Sequence, residues 1–134
     1  MRLLSSFVAL VSLAACSTPP TGVAADVMGT SWTVERIISP DGVLRQEAQI
    51  SFGDEGSVAM SSCNQCSGRY RMRDDVFTSD GGLACTKRAC TSGQLELERY
   101  FAGPVSLRQE GTYLVAEPQD LPDVAIYLAR SNVP

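Results

Sequence analysis

The chain has 134 residues, with 11 basic and 15 acidic side chains, a formal net charge of −4 at pH 7 and no histidine. An acidic chain is a poor partner for nucleic acid, because phosphate binding needs clustered Lys and Arg. The lack of histidine excludes catalytic triads and dyads that depend on an imidazole. The length is that of a single domain with one hydrophobic core.

The first fifteen residues have the pattern of a secretory signal peptide. Arg2 supplies a positive charge, and the mostly apolar run that follows is shorter than the about 20 residues of a membrane-spanning helix. The run Leu13-Ala14-Ala15-Cys16 resembles a bacterial lipobox, whose cysteine is acylated and becomes the mature N-terminus. The alternative is an ordinary secreted protein with Cys16 as a spare thiol. We expect a signal peptide over residues 1–15 and lipidation, palmitate included, at Cys16.

The segment after Cys16 is rich in turn-forming residues and has no apolar period. This composition is typical of a flexible tether, which we place at residues 16–27, with the folded domain at 28–134. Ser17 resembles the residue that directs Gram-negative lipoproteins to the outer membrane. We therefore expect a lipid-anchored protein in the bacterial cell envelope, in the outer membrane and facing the periplasm.

Short alternating runs separated by turn signals predict a mainly β domain. Trp32 begins the first predicted strand and is expected to close one end of a small antiparallel β-barrel-like sheet. The predicted strands are Ser31–Ile38, Ala48–Phe52, Ser57–Met60, Gly68–Met72, Val76–Ser79, Val105–Gln109, Thr112–Ala116 and Val124–Ala129.

One helix is expected between the fifth and sixth of these strands, packed against the sheet. Thr91 and Gln94 have the spacing of a capping box, and Leu97 and Phe101 follow at helical intervals. The pair Gly103-Pro104 is a typical helix end.

Two cysteine-bearing blocks carry the most specific signal. They read Cys63-Asn64-Gln65-Cys66-Ser67-Gly68-Arg69-Tyr70 and Leu83-Ala84-Cys85-Thr86-Lys87-Arg88-Ala89-Cys90. Together they resemble the signature of META-domain proteins, the HslJ-like envelope lipoproteins of bacteria. The residues that match the signature, besides its two cysteines, are Asn64, Ser67, Gly68 and Thr86, while Lys87 stands where arginine is usual. The resemblance implies a small β-barrel with one helix.

The resemblance also implies a disulfide between Cys63 and Cys90, which match the two family cysteines. Cys66 and Cys85 depart from the family pattern and suggest a second, nested bridge in an oxidising compartment. The rival arrangement is Cys63–Cys85 with Cys66–Cys90, because sequence alone does not choose between pairings. With Cys16 acylated, these four cysteines form an even set.

Two other roles are open to the cysteines. The spacing Cys63-x2-Cys66 followed by Cys85-x4-Cys90 comes near a four-cysteine zinc site, but the second pair is too widely spaced. A redox-active Cys-x-x-Cys is typical of a helix N-terminus, whereas this one lies between predicted strands. We expect no metal and no cofactor.

Polar residues near these blocks have mainly structural interpretations. Asn64 and Thr86 are expected to bond nearby backbone groups and fix a turn. Arg69, Arg71 and Arg73 recur at every second position, so a strand would place them on one face. This face is either solvated and paired with neighbouring aspartates or a small basic patch for an anionic headgroup or a partner carboxylate.

The sequence carries no nucleophile elbow or phosphate-binding glycine loop, and we expect the protein not to be an enzyme. The family resemblance implies a role in envelope maintenance, stress tolerance or antibiotic resistance. One alternative is a carrier that holds a small apolar ligand inside the barrel. Another is an inhibitor-like or chaperone-like module that binds a protein partner through Cys63–Ser67. We expect a monomer that contacts the membrane through the lipid on Cys16 and does not bind nucleic acid.

Overall fold

The computed structural model describes residues 22, 23 and 27–132. The expected signal peptide, Cys16 and most of the expected tether lie outside these residues. Within these residues, nine strands follow one another: β1 (Thr30–Ser39), β2 (Gly42–Leu44), β3 (Gln49–Phe52), β4 (Ser57–Ser61), β5 (Gln65–Arg73), β6 (Val76–Cys85), β7 (Val105–Glu110), β8 (Tyr113–Pro118) and β9 (Ala125–Arg130).

The strands form a closed antiparallel barrel, which confirms the predicted fold class. Each of β3 to β8 pairs with the next strand, and β1 closes the ring by pairing with both β3 and β9. The short β2 was not predicted; it pairs only with the last residues of β1 and extends that hairpin beyond the eight-stranded ring. Closure pairs the strand edges and so removes the exposed edges that invite aggregation.

The connections alternate between the two ends of the barrel. One end, called the cysteine pole below, carries residues 62–64, the long segment 86–104 and residues 119–124. The other end, called the N-terminal pole, carries the turns at residues 53–56, 74–75 and 111–112. The tight turn at Asp74 and Asp75 has φ values of 50° and 60°, the left-handed conformation of a two-residue hairpin.

The barrel interior is filled by its own side chains. Phe52, Phe77 and Phe101 are fully buried, and their rings meet edge to face at 6.2 Å and 5.5 Å. The ring of Tyr70 lies 5.4 Å from that of Phe52 and stacks on Phe77 at 5.7 Å. Burying side chains of this size contributes about 1.5–3 kcal/mol each relative to exposure. Aromatic packing through the centre of the barrel is therefore a main source of its stability.

Trp32 lies toward the N-terminal pole, where β1 begins. It is 3% exposed, and its indole N–H donates to Thr30 Oγ1 at 2.7 Å. A buried indole needs such a partner, since an unpaired N–H inside a core is costly. The side chain is part of the core, as expected for a residue that closes one end of the barrel.

The expected helix is wrong: this part of the chain forms a single 3₁₀ turn at Leu97–Arg99. Gln94 does bond back to the N–H of Thr91 at 2.8 Å, so half of the capping box forms. No helix follows, because Gly93 has a φ of 90° and Glu96 lies outside the helical region. The apolar residues still face inward, and Leu97 and Phe101 are fully buried. Among the described residues, no helix has the length and apolar character needed to span a bilayer.

Candidate functional site at the cysteine pole

Two nested disulfides hold the cysteine pole together. Cys63 is bonded to Cys90, with 6.0 Å between their Cα atoms, and this bridge ties the β4–β5 connection to the long segment 86–104. Cys66 is bonded to Cys85, with a Cα–Cα distance of 4.1 Å. These two residues are direct partners in the ladder between β5 and β6. The pairing is the one favoured by the family resemblance rather than its rival.

The two disulfides occupy all four cysteines that a zinc site or a redox-active Cys-x-x-Cys would need. A zinc site requires thiolates, and all four sulfurs are in S–S bonds. A redox-active Cys-x-x-Cys alternates between its own disulfide and dithiol, but Cys63 and Cys66 are bonded to other residues. The arrangement therefore favours structural bridges that restrict the unfolded chain.

Asn64 and Thr86 join the two cysteine blocks to each other. The Asn64 side chain is buried, donates from Nδ2 to Glu98 Oε1 at 2.8 Å and accepts from the Arg88 backbone N–H at 2.9 Å. Thr86 Oγ1 accepts from the Gln65 N–H at 3.0 Å, and the Thr86 N–H donates to the Gln65 carbonyl at 2.9 Å. Both residues do bond backbone groups, but these groups belong to the opposite block and not to a local turn.

Two further side chains, which the sequence did not indicate, position the segment 86–104. Gln46 accepts from the Leu95 N–H at 2.7 Å, and its amide also donates to the Gly93 carbonyl. Ser62 Oγ accepts from the Leu97 N–H at 3.0 Å. Each bond satisfies a backbone donor that no secondary structure pairs. Their partners are 35 and 49 residues away in sequence, so no local pattern indicates them.

Glu98 lies beside a cleft at the same pole. The sequence did not indicate it as a site residue. Its carboxylate accepts from Asn64 at 2.8 Å and from Ser62 Oγ at 3.4 Å, and a carboxylate oxygen lies within 4.8 Å of the sulfurs of Cys66 and Cys85. The cleft has a volume of about 280 Å³. Its lining residues are Ser79, Gly82, Leu83, Cys85, Glu98, Arg99 and Ala102.

Of the remaining signature residues, Ser67 and Gly68 lie within β5, opposite Ala59 and Val58 of β4, and Lys87 lies at the start of the segment 86–104. Ser67 and Lys87 are exposed, and neither is part of the cleft. Gly68 lies at a register shift between β5 and β6, where a Cβ atom would be 2.9 Å from the Gly82 carbonyl oxygen. A larger residue there would push the two strands apart, so this glycine has a structural role.

The arginines of β5 lie on the outer face of the barrel. Arg69, Arg71 and Arg73 are exposed, and Arg71 pairs with Asp80 at 3.2 Å while Arg69 donates to the Glu55 carbonyl at 2.6 Å. These contacts favour a solvated face over a basic patch. Exposed pairs of this kind contribute about 0–1 kcal/mol.

Residues 25–118, more than half of the chain, match the META domain family, and the chain belongs to this family. The META domain is not a known enzyme family. No curated protein matches the chain.

Two solved structures share the fold. The NMR structure of a protein from Burkholderia xenovorans superposes with a TM-score of 0.63 at 17% identity and covers 95% of this chain and 100% of its own. A second NMR structure has a TM-score of 0.63 at 17% identity and covers 78% of this chain and 92% of its own. Identity this low establishes the likeness of fold alone.

Proposed function

We propose that this META-domain protein is a non-enzymatic lipoprotein of the bacterial envelope, acylated on Cys16 and held at the outer membrane facing the periplasm. Its role would be envelope maintenance, stress tolerance or antibiotic resistance. The observation that carries the proposal is the pair of nested disulfides. Such bridges persist in oxidising compartments, which agrees with a signal-like segment over residues 1–15 and a lipobox-like run that ends at Cys16.

The use of the polar side chains at the cysteine pole supports a non-catalytic role. Asn64, Thr86, Gln46 and Ser62 all bond backbone groups and so build the connections. Groups that are committed to backbone donors in this way hold the shape of the pole. We infer that the barrel presents a rigid surface and does not carry out a reaction.

The position of the first described residues supports a particular orientation on the membrane. Gly22 lies against Asp75 at the N-terminal pole, where an added Cβ atom would be 2.9 Å from the carboxylate. Cys16 precedes Gly22 by six residues, which span at most about 20 Å when fully extended. A lipid on Cys16 would thus hold the N-terminal pole toward the bilayer, with the cysteine pole facing away.

The filled interior weighs against the carrier alternative. The centre of the barrel holds the rings of Phe52, Phe77 and Phe101, and a ligand there would have to displace them. Barrels of about eight strands are just wide enough to be filled by side chains in this way. A protein-binding role for Cys63–Ser67 stays a hypothesis that cross-linking in whole cells would test.

The proposal is tested by fractionation and complementation in a Gram-negative host. We expect the protein with its own leader to incorporate labelled palmitate and to reach the outer membrane. The variant Cys16→Ala should be unlabelled and soluble and should fail to rescue a deletion strain under envelope stress. Ser17→Asp is the matched control, since it keeps the lipid and should change only the membrane to which the protein is sorted. Full rescue by soluble Cys16→Ala would show that anchoring is irrelevant to function.

A further inference from the structure

The carboxylate of Glu98 differs from the other acidic groups near the cysteine pole. It is half-buried and is held by two neutral donors, Asn64 Nδ2 and Ser62 Oγ. Within the described part of the chain, no Lys or Arg forms an ion pair with it. Its neighbour Arg99 also lines the cleft, but its guanidinium pairs with Glu96 at 2.9 Å. A carboxylate without such a partner can accept charge-assisted hydrogen bonds from a cation outside the protein.

The surroundings of Glu98 restrict what that cation can be. The wall of the cleft is mostly apolar, with Leu83, Ala102 and the Cys66–Cys85 bridge beside the carboxylate. A bare metal ion would need several oxygen ligands, and the two sulfurs here are in a disulfide. An ammonium group attached to a short apolar chain fits both features, because one end pairs with the carboxylate and the other covers the apolar wall.

We propose that the cleft beside Glu98 binds a small primary ammonium compound with a short alkyl body. Glu98 accepts hydrogen bonds from the ammonium group, and Asn64 fixes the carboxylate for this contact. The alkyl chain lies against Leu83 and Ala102. The cleft volume of about 280 Å³ suits a molecule of only a few carbon atoms. This site requires neither the lipid nor the membrane, so its test is independent of the test of the proposed anchoring.

The test is a titration followed by amide chemical shifts, using the exported Cys16→Ala chain and pentylammonium at neutral pH. Saturable shifts are expected around Leu83, Cys85 and Ala102. Pentanol has the same apolar body without the charge, and we expect it to bind about tenfold more weakly or worse. Equal binding of pentanol would overturn the proposal, because the carboxylate would then contribute nothing.

Variants locate the binding on Glu98. Glu98→Gln keeps an acceptor for Asn64 but removes the charge, and it should weaken binding by about tenfold or more. Glu55→Gln is the control, since this exposed carboxylate lies at the N-terminal pole and does not line the cleft; binding should stay within about twofold. Ala102→Leu fills the cleft without touching the charge and should also abolish binding. Unchanged binding in Glu98→Gln or in Ala102→Leu would place the amine elsewhere.

Discussion

Asn64 donates a 2.8 Å hydrogen bond to Glu98, and this contact fixes the segment 86–104 to the connection between β4 and β5. The same amide accepts from the backbone N–H of Arg88, so one buried side chain serves two points on that segment. Asn64 is therefore a non-covalent cross-link at the same pole as the two disulfides. It also explains how a long, mostly irregular segment keeps one conformation over the end of the barrel.

Asn64→Ala should destabilise the fold by about 2 kcal/mol, because the Arg88 N–H loses its acceptor and the Glu98 carboxylate loses the closer of its two donors. Gln65→Ala is the neighbouring control. The Gln65 side chain is exposed, and its loss should change the free energy of unfolding by about 0.5 kcal/mol or less. Guanidinium denaturation of both variants measures the difference. An Asn64→Ala variant as stable as the control would show that the cross-link is unimportant.

Removing either disulfide should lower the free energy of unfolding by about 3 kcal/mol, since the bridges close loops of 27 and 19 residues. The loops are nested, so removing both bridges should cost less than the sum of the two separate costs. The variants are Cys63→Ala with Cys90→Ala, and Cys66→Ala with Cys85→Ala. Denaturation with and without reductant compares them with the parent protein. If reductant leaves the parent's midpoint unchanged, the bridges do not stabilise the fold.

Phe77→Ala should cost about 3–5 kcal/mol, because it leaves a cavity among Phe52, Tyr70 and Phe101 in the centre of the barrel. Leu121→Ala serves as the control, since this side chain is 42% exposed and should cost about 1 kcal/mol or less. Thermal unfolding measures both. A cost below that of the control would indicate a loosely filled interior and would favour the carrier alternative.

The ionisation of Tyr70 should lower the stability of the fold at high pH. Burial, with a smaller contribution from the negative charge of Asp54, raises the pKa of Tyr70 above 10.0. The unfolded chain therefore loses this proton at a lower pH than the folded one, and stability falls as the pH rises above about 10. Tyr70→Phe removes the group, and its unfolding temperature should fall less steeply over that range. Parallel curves for the two proteins would contradict this assignment.

The barrel was predictable because its strands alternate regularly and end at strong turn signals. Val76 and Phe77, for example, begin a strand directly after the Asp74-Asp75 turn, as the local pattern indicates. Cys63, Cys90 and Asn64 were also visible through the resemblance of their blocks to a family, whereas Cys66 and Cys85 were paired because they depart from the family pattern. These features depend on residues that are close together in the sequence.

The helix predicted after Thr91 was wrong because the structure of this part of the chain depends on distant residues. Its apolar spacing satisfies a helix pattern, yet the backbone donors of Leu95 and Leu97 are taken by Gln46 and Ser62. Nothing near Leu95 in sequence indicates these partners. For the same reason Glu98 was not recognised as part of a site, since its carboxylate is placed by Asn64 from another element.

The intact mass of the protein isolated from bacterial membranes tests the central claim most directly. The account predicts a chain that begins at Cys16, carries acyl groups and lacks four hydrogens because two disulfides have formed. Peptide mapping without reduction should place the bridges at Cys63–Cys90 and Cys66–Cys85. A full-length chain that retains its first fifteen residues, with Cys16 unmodified and the other four cysteines reduced, would contradict it.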